Sequence, residues 1–250
     1  MDKKPSMQKD IDIVIPLREH FEQYLVETAV KLIRKNLPHR HIYFFGGNPN
    51  IENTTHIPII HKNKENIEAN LIRVNLEACK MPQISSPFIW TADDIFIQKP
   101  LNKVPLFRKD KLLIGLSRYD WSKEGNEMKY IRRCINTAIA LEERRLTTYN
   151  FDCHLPCPIH KKEYQEAYSM VNWDTEGMGV LLLTVYGNYM ISKGFEVEKS
   201  PFPYGDAKSL LSLIDLNSKE DIIEKLKNYS IFSPAIEKTE AMQEYIKELF

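Results

Sequence analysis

The sequence predicts an α/β fold, a single domain whose mostly parallel central sheet is flanked by helices. Three observations predict it. Short β-branched apolar runs bounded by proline or glycine alternate with segments of helical period. That alternation implies crossover connections between parallel strands. The chain, at 250 residues, is long enough to bury one large core, and it shows no repeat, low-complexity linker or composition break that would divide it.

Ile11-Asp12-Ile13-Val14-Ile15-Pro16-Leu17 is β-branched, apolar and closed by proline, so it predicts a buried first strand. Leu25, Ala29, Leu32 and Ile33 recur at helical spacing with charges between them, and Asn36-Leu37-Pro38 stops that helix. His41–Phe45 predicts the second strand, and Gly46-Gly47-Asn48-Pro49-Asn50 a turn. Ile57–Ile60 predicts a short third strand, placed at an edge by its proline. From Asn63 to about Cys79 the helical period returns, with Ile67, Leu71, Val74 and Ala78 on one face. Phe88-Ile89-Trp90 is the next strand, and Leu112–Leu116 a further one. Helices are expected over Glu127–Arg145, Lys161–Met170 and Gly179–Ile191, and from about Ile236 to the end. Residues 151–160, rich in Cys and His, are expected to be extended.

Composition excludes some classes. Thirty-four basic residues balance 34 acidic ones, so no global basic field points to nucleic acid or an anionic membrane. The start, MDKKPSMQKD, lacks the apolar stretch of a secretory leader, and no apolar run reaches membrane-spanning length. Cytoplasmic residence is the expectation. Cys79, Cys134, Cys153 and Cys157 do not form a disulfide framework, and the spacing of Cys153, His154, Cys157 and His160 is not that of a zinc knuckle or ribbon.

The chemistry concentrates where Thr91-Ala92-Asp93-Asp94 closes the Phe88–Trp90 run. Adjacent carboxylates at the end of a buried strand are unfavourable unless a cation, a basic partner or a proton offsets them. Hard oxygen ligands suit Mg²⁺ or Mn²⁺, ions that commonly hold a substrate diphosphate. Strand ends at the carboxyl side of an open α/β sheet are also where ligands bind. Asp93 and Asp94 therefore read as a metal–diphosphate site, against the plainer reading of a solvated turn. Asn66, Asn70 and Arg73 fall one helical turn apart, on a face opposite the apolar stripe. They read either as hydrogen-bonding groups for nucleotide or donor sugar, with Arg73 near a phosphate, or as an exposed polar face. Asp152 and His154 alternate along the extended segment, so they share a face. Such a pair can bind an acceptor hydroxyl, take its proton or ligate the metal. Arg132-Arg133 and Glu142–Arg145 read as a solvated helix face. Trp173, Asp174 and Glu176, near Gly177 and Gly179, form a weaker candidate.

IDIVIPL, KNLPHRHIYFFGGNP, HIPII, NIEANLIRVNLEACK, ADDIFIQKPL, FDCHLPCPIHKKEY, TVYGNYM and FSPAIEKTEAMQEYIKELF span most of the chain. Together they resemble nucleotide-sugar glycosyltransferases of the GT-A fold. The resemblance is greatest to small phage and bacterial proteins of this kind, and more distant to the stealth sugar-phosphate transferases. The family pattern carries Asn-Asp-Asp where this chain has Ala92-Asp93-Asp94. The resemblance implies a GT-A-like domain in which residues 1–100 hold the nucleotide sugar and residues 101–250 serve the acceptor. It implies a nucleoside-diphosphate sugar over the first strands, bridged by Mn²⁺ or Mg²⁺ to Asp94, with Asp93 as second ligand or sugar partner. His154-Leu155-Pro156 matches a His-x-Pro element, and Tyr186-Gly187-Asn188 a segment in which Asn188 caps a helix or contacts the sugar. The implied activity is metal-dependent transfer of a sugar to an acceptor hydroxyl on hydroxymethylated DNA, protein or polysaccharide. A phage origin would place it in the host cytoplasm. For DNA, Arg132-Arg133, Arg144-Arg145 and Lys161-Lys162 are the candidate groove. The alternatives are a stealth-like sugar-phosphate transferase and a non-catalytic nucleotide-sugar-binding protein.

Overall fold

The computed structural model describes residues 10–60, 66–113, 126–174, 179–199, 218–227, 229–233 and 240–249. In chain order the elements are β1 (Asp12–Leu17), α1 (Gln23–Asn36), β2 (Ile42–Gly46), β3 (Thr54–Ile57), α2 (Ile67–Lys80), β4 (Phe88–Trp90), β5 (Phe96–Ile97), β6 (Phe107–Arg108), α3 (Asn126–Glu142), β7 (Cys157–Ile159), α4 (Lys161–Ser169), α5 (Thr184–Ser192), β8 (Glu198–Lys199), α6 (Lys219–Leu226), β9 (Ile231–Phe232) and α7 (Glu240–Glu248).

The central sheet has the order β3-β2-β1-β4-β7. Its first four strands are parallel, and β7 runs antiparallel along β4. Alternation along β1 divides the core. Ile13, Ile15 and Leu17 pack with Val26, Val30 and Ile33 of α1, while Val14 faces the opposite layer with Ile72, Val74 and Ala78 of α2. Tyr164, Tyr168 and Tyr186 from α4 and α5 complete that second layer. A parallel sheet covered on both faces needs apolar side chains on both, which explains the apolar run of β1 from Ile13 to Leu17. The α1 helix ends at Leu37, whose extended backbone is what the following Pro38 requires. Its outer side, Leu25, Ala29 and Leu32, packs against α6 and α7.

At the amino end of β1 a polar clasp replaces apolar packing. The Asp12 carboxylate is fully buried, accepting from Arg40 Nε at 2.9 Å and from the Ser85 amide at 2.7 Å. The Asp12 amide in turn donates to Ser85 Oγ at 2.8 Å.

The chain runs from β1 to β2 and β3 on one side, and α2 then carries it back to β4 on the other side of β1. The carboxyl ends of β1 and β4 therefore flank a topological switch point, where open α/β sheets bind ligands. Because α2 connects two parallel strands it runs against them, so its first turn lies at that same rim.

Some expectations are corrected. The third strand is Thr54–Ile57 rather than Ile57–Ile60, and it does lie at the sheet edge. Leu112 and Leu113 are helical rather than extended, while 114–116 lie outside the described residues. Residues 151–156 are irregular, and only Cys157–Ile159 forms a strand. The α5 helix starts at Thr184 rather than Gly179. The last helix is described from Glu240, its expected start near Ile236 lying outside the described residues. The pairs β5–β9 and β6–β8 are additions that local patterning does not announce. No described helix is long and apolar enough to cross a membrane.

Candidate active site

Asp93 and Asp94 are the central residues of a turn closed by the Ile95 amide on the Ala92 carbonyl at 3.3 Å. The turn follows β4 directly, and the Thr91 amide extends the β1–β4 ladder by bonding Val14 O at 3.1 Å. Both acids are half-buried. Among the described residues the Asp94 carboxylate has no hydrogen bond or ion pair, an unusual state for a half-buried acid. Just before it, Trp90 Nε1 and Thr91 Oγ1 are buried without a hydrogen-bond partner among the described residues. Uncommitted polar atoms thus concentrate at the switch point. Because the acids occupy a turn, their directions are set by the turn rather than by strand alternation.

Antiparallel pairing of Trp90 with Cys157 brings the segment before β7 to the same end of the sheet. Asp152 and His154 lie there, in a sharp bend rather than a strand. The Asp152 amide donates to Asn150 Oδ1 at 2.7 Å and the Cys153 amide to Phe151 O at 2.9 Å. These two tight turns are followed by a left-handed backbone at His154, φ 44°. The bend achieves what strand alternation was expected to achieve, setting His154 Nε2 3.7 Å from Asp152 Oδ1. Phe151 anchors it, its amide donating to Thr184 Oγ1 at 3.1 Å.

The first turns of α2 form a third part of the rim. Asn66 is the N-cap, its Oδ1 accepting from the Ala69 amide at 3.1 Å, and Gly179 packs so close to it that an added Cβ would meet its Nδ2 at 2.6 Å. Asn70 Oδ1 accepts from Arg73 Nη1 at 3.0 Å. Arg73 Nη2 reaches both oxygens of Asp174 at 2.9 and 3.0 Å, with its guanidinium 5.7 Å from the Trp173 ring centre. Asn66 and Asn70 are buried, so they do not lie opposite the apolar stripe, and Ile67, expected in that stripe, is 63% exposed. Glu176 and Gly177 lie outside the described residues.

Sequence reasoning missed two members. Glu68, in the first turn of α2, accepts from the Leu182 amide at 2.9 Å and lies 3.7 Å from Arg133 Nη1 of α3. Both side chains are only 17% exposed, so Arg133 is not part of a solvated face, whereas Arg132 is exposed. Burial pushes the Glu68 carboxyl up to about 7 and the charge of Asp152 adds to it, against the opposing effects of Arg133, the Leu182 amide and His154. Glu68 stands two residues after an Asn N-cap, so its place on the rim was open to recognition; its pairing with Arg133, far along the chain, had no local signal.

The expected site residue Asn188 and its neighbour Gly187 face inward. Asn188 is fully buried, accepting from Thr147 Oγ1 at 2.7 Å and the Tyr149 amide at 3.0 Å, and donating to the Tyr149 and Thr184 carbonyls at 2.8 Å each. That uses its whole amide inside the fold. Gly187 makes room for the Phe151 ring, which an added Cβ would meet at 2.3 Å, rather than for a ligand.

Asp93 and Asp94 offer two hard-oxygen donors, and among the described residues no three His, Cys, Asp or Glu side chains converge on a point. That donor set fits an ion that also takes oxygens from substrate phosphates and water, as Mg²⁺ does, rather than a closed protein cage.

Neither a protein-family profile nor a curated protein sequence matches the chain. Solved structures do. The galactosyltransferase LgtC, solved in complex with donor and acceptor sugar analogs, matches with TM-score 0.52 and 13% identity over 96% of this chain and 95% of its own. A glycosyltransferase involved in the glycosylation of the major capsid of PBCV-1 matches with TM-score 0.43 and 12% identity over 96% and 98%. The apo-form glycosyltransferase GlyE of Streptococcus pneumoniae TIGR4 matches with TM-score 0.47 and 9% identity over 95% of this chain and 60% of its own. At such identities the likeness speaks to fold, and LgtC carries it over nearly the full length of both chains. The chain has the fold of the GT-A glycosyltransferases.

Proposed function

We propose that this protein transfers a sugar from a nucleoside-diphosphate sugar to an acceptor hydroxyl, with Mn²⁺ or Mg²⁺ held through Asp94 and Asp93. The observation that carries the reading is the half-buried Asp94 carboxylate, without a partner among the described residues, beside Asp93 at the switch point of this fold. The likeness to LgtC, a sugar-transferring enzyme bound to donor and acceptor analogs, supports the reaction class.

As the glycosidic bond breaks, negative charge develops on the departing nucleoside diphosphate, and a divalent ion there stabilises it as a Lewis acid. The protein's own groups divide the remaining work. Asp93 and Asp94 orient the diphosphate end, whereas the Asn70–Arg73–Asp174 chain presents a preset array of donors and acceptors to the donor. Asp152 and His154, in the bend that leads into β7, face the acceptor and take the proton of its hydroxyl.

The test is incubation with a panel of nucleotide sugars and Mn²⁺. Release of nucleoside diphosphate, lost in Asp94→Ala, is the expected result. Release of nucleoside monophosphate would instead show sugar-phosphate transfer, and no release with intact nucleotide binding would show a binding protein.

A further inference from the structure

Asn150, half-buried beside the acceptor-side bend, is bonded through both its backbone and its side chain to three separate segments. Its backbone pairs with the stretch that follows β6. The Lys109 amide donates to Asn150 O at 2.7 Å, and the Asn150 amide donates to the Asp110 carbonyl at 3.0 Å. Its side chain reaches the other two. Oδ1 accepts from the Asp152 amide at 2.7 Å, closing a turn two residues on, and Nδ2 donates to the Tyr130 hydroxyl of α3 at 3.2 Å. A backbone N–H can only donate, so the Asp152 amide fixes which end of the side-chain amide is which. The Tyr130 oxygen is therefore the acceptor of the second bond.

The bend that carries Asp152 and His154 lies outside the sheet. It combines a tight turn at Cys153 with a left-handed backbone at His154, a conformation that persists only where its surroundings hold it. The inward residues are held from behind, Phe151 through its amide on Thr184 Oγ1 and Cys153 through its thiol on Phe107 O at 3.4 Å. The backbone at Asp152, which faces the other way, is held by Asn150.

We propose that Asn150 is a positioning residue for the acceptor-side pair. Anchored to α3 by Tyr130, it fixes the Asp152 backbone and with it the 3.7 Å approach of Asp152 Oδ1 to His154 Nε2. This rests on the glycosyltransferase reading. Taking a proton from an acceptor hydroxyl requires the base within hydrogen-bond reach, and a misplacement of about 1 Å can cost roughly a hundredfold in rate. The side-chain amide suits the task because it offers an acceptor to the bend and a donor to the helix at once. Alanine offers neither.

The experiment uses the full chain and three variants. Tyr130→Phe removes one oxygen and keeps the ring that packs against the cluster of Leu112, Ile131 and Cys134. Asn150→Ala removes both side-chain bonds, and the third variant combines the two. Each single variant should lower kcat for nucleoside-diphosphate release about tenfold, with the donor KM unchanged within about twofold. The two residues act through one chain of bonds, so the double variant should be no slower than Asn150→Ala, whereas independent damage would multiply. Hydrogen exchange gives a readout without turnover. In Tyr130→Phe the Asp152 amide should exchange about tenfold faster, although the lost oxygen is bonded to Asn150 and not to Asp152. An Asp152 amide as protected as the parent's would overturn the proposal, as would an unchanged kcat in either single variant or losses that multiply in the double one. The exchange arm distinguishes failure of this proposal from failure of the transferase reading, which would show as no donor cleavage by the parent protein.

Discussion

Replacing Glu68 by glutamine should make this protein more stable at alkaline pH than its parent, while leaving the two alike in acid. The carboxyl sits at about 7 in the folded chain against an ordinary 4.5. Below 4.5 it is protonated both folded and unfolded, and it contributes nothing to the pH dependence. Between 4.5 and 7 the folded chain binds more protons than the unfolded one, so stability falls as pH rises. Above 7 both states are ionised and the full unfavourable difference is expressed, roughly 3 kcal/mol from the displacement of the midpoint. Glutamine retains an acceptor for the Leu182 amide but has no charge to bury. The difference in unfolding free energy between variant and parent should therefore climb by roughly 3 kcal/mol from pH 4 to pH 8. Urea unfolding followed by fluorescence across that range measures it, since titrations that the substitution does not perturb cancel in the difference. Parallel curves would refute the reasoning. A difference of opposite sign would show that Arg133 stabilises the carboxylate more than burial opposes it.

Asp94→Ala should weaken nucleoside-diphosphate binding in Mn²⁺ about tenfold or more in calorimetry, with no further loss in EDTA, while its thermal midpoint stays put because Asp94 has no partner to lose among the described residues. Asp152→Asn and His154→Ala should leave nucleotide affinity unchanged and slow transfer by about a hundredfold; normal turnover in both would make the bend mere scaffold. Gly187→Ala should cost about 2 kcal/mol in urea unfolding, since Phe151 must give way to the new Cβ. Asn188→Ala, which strips partners from Thr147, Tyr149 and Thr184, should cost about 3 kcal/mol without touching nucleotide affinity beyond that instability.

The central sheet and its covering helices were legible because their signals are local. β1 announces itself through consecutive Ile and Val, α1 through Leu25, Ala29, Leu32 and Ile33, and the edge position of β3 through nearby Pro58. The irregular path through Asp152 and His154 was not legible. It depends on Asn150 and Phe151 accepting from the next turns and on a left-handed residue that is neither glycine nor asparagine. Asn66 shows how one residue type supports two readings: asparagine one position before a helical run is a strong capping signal, and its side chain does cap. Asn188 shows the limit of spacing. Nothing in Tyr186-Gly187-Asn188 reveals that Thr147 and Tyr149, some forty residues earlier, will enclose the amide. Glu68 and Arg133 meet only because α2 and α3 both reach the rim, a property of topology rather than pattern.

The Asp12–Arg40–Ser85 clasp lies at the amino end of β1, and the acids that follow β4 lie at the carboxyl end. The molecule therefore separates what closes the sheet from what meets a ligand by the length of a strand. A lineage carrying this fold can change Asp93, Asp94 or the bend at His154 while the opposite end continues to register β1 against its neighbours. Substitutions at Asp12 or Arg40 have no such latitude, because a buried carboxylate stripped of its arginine is strongly destabilising. Among descendants of this chain, variety should gather at one pole of the sheet and constancy at the other.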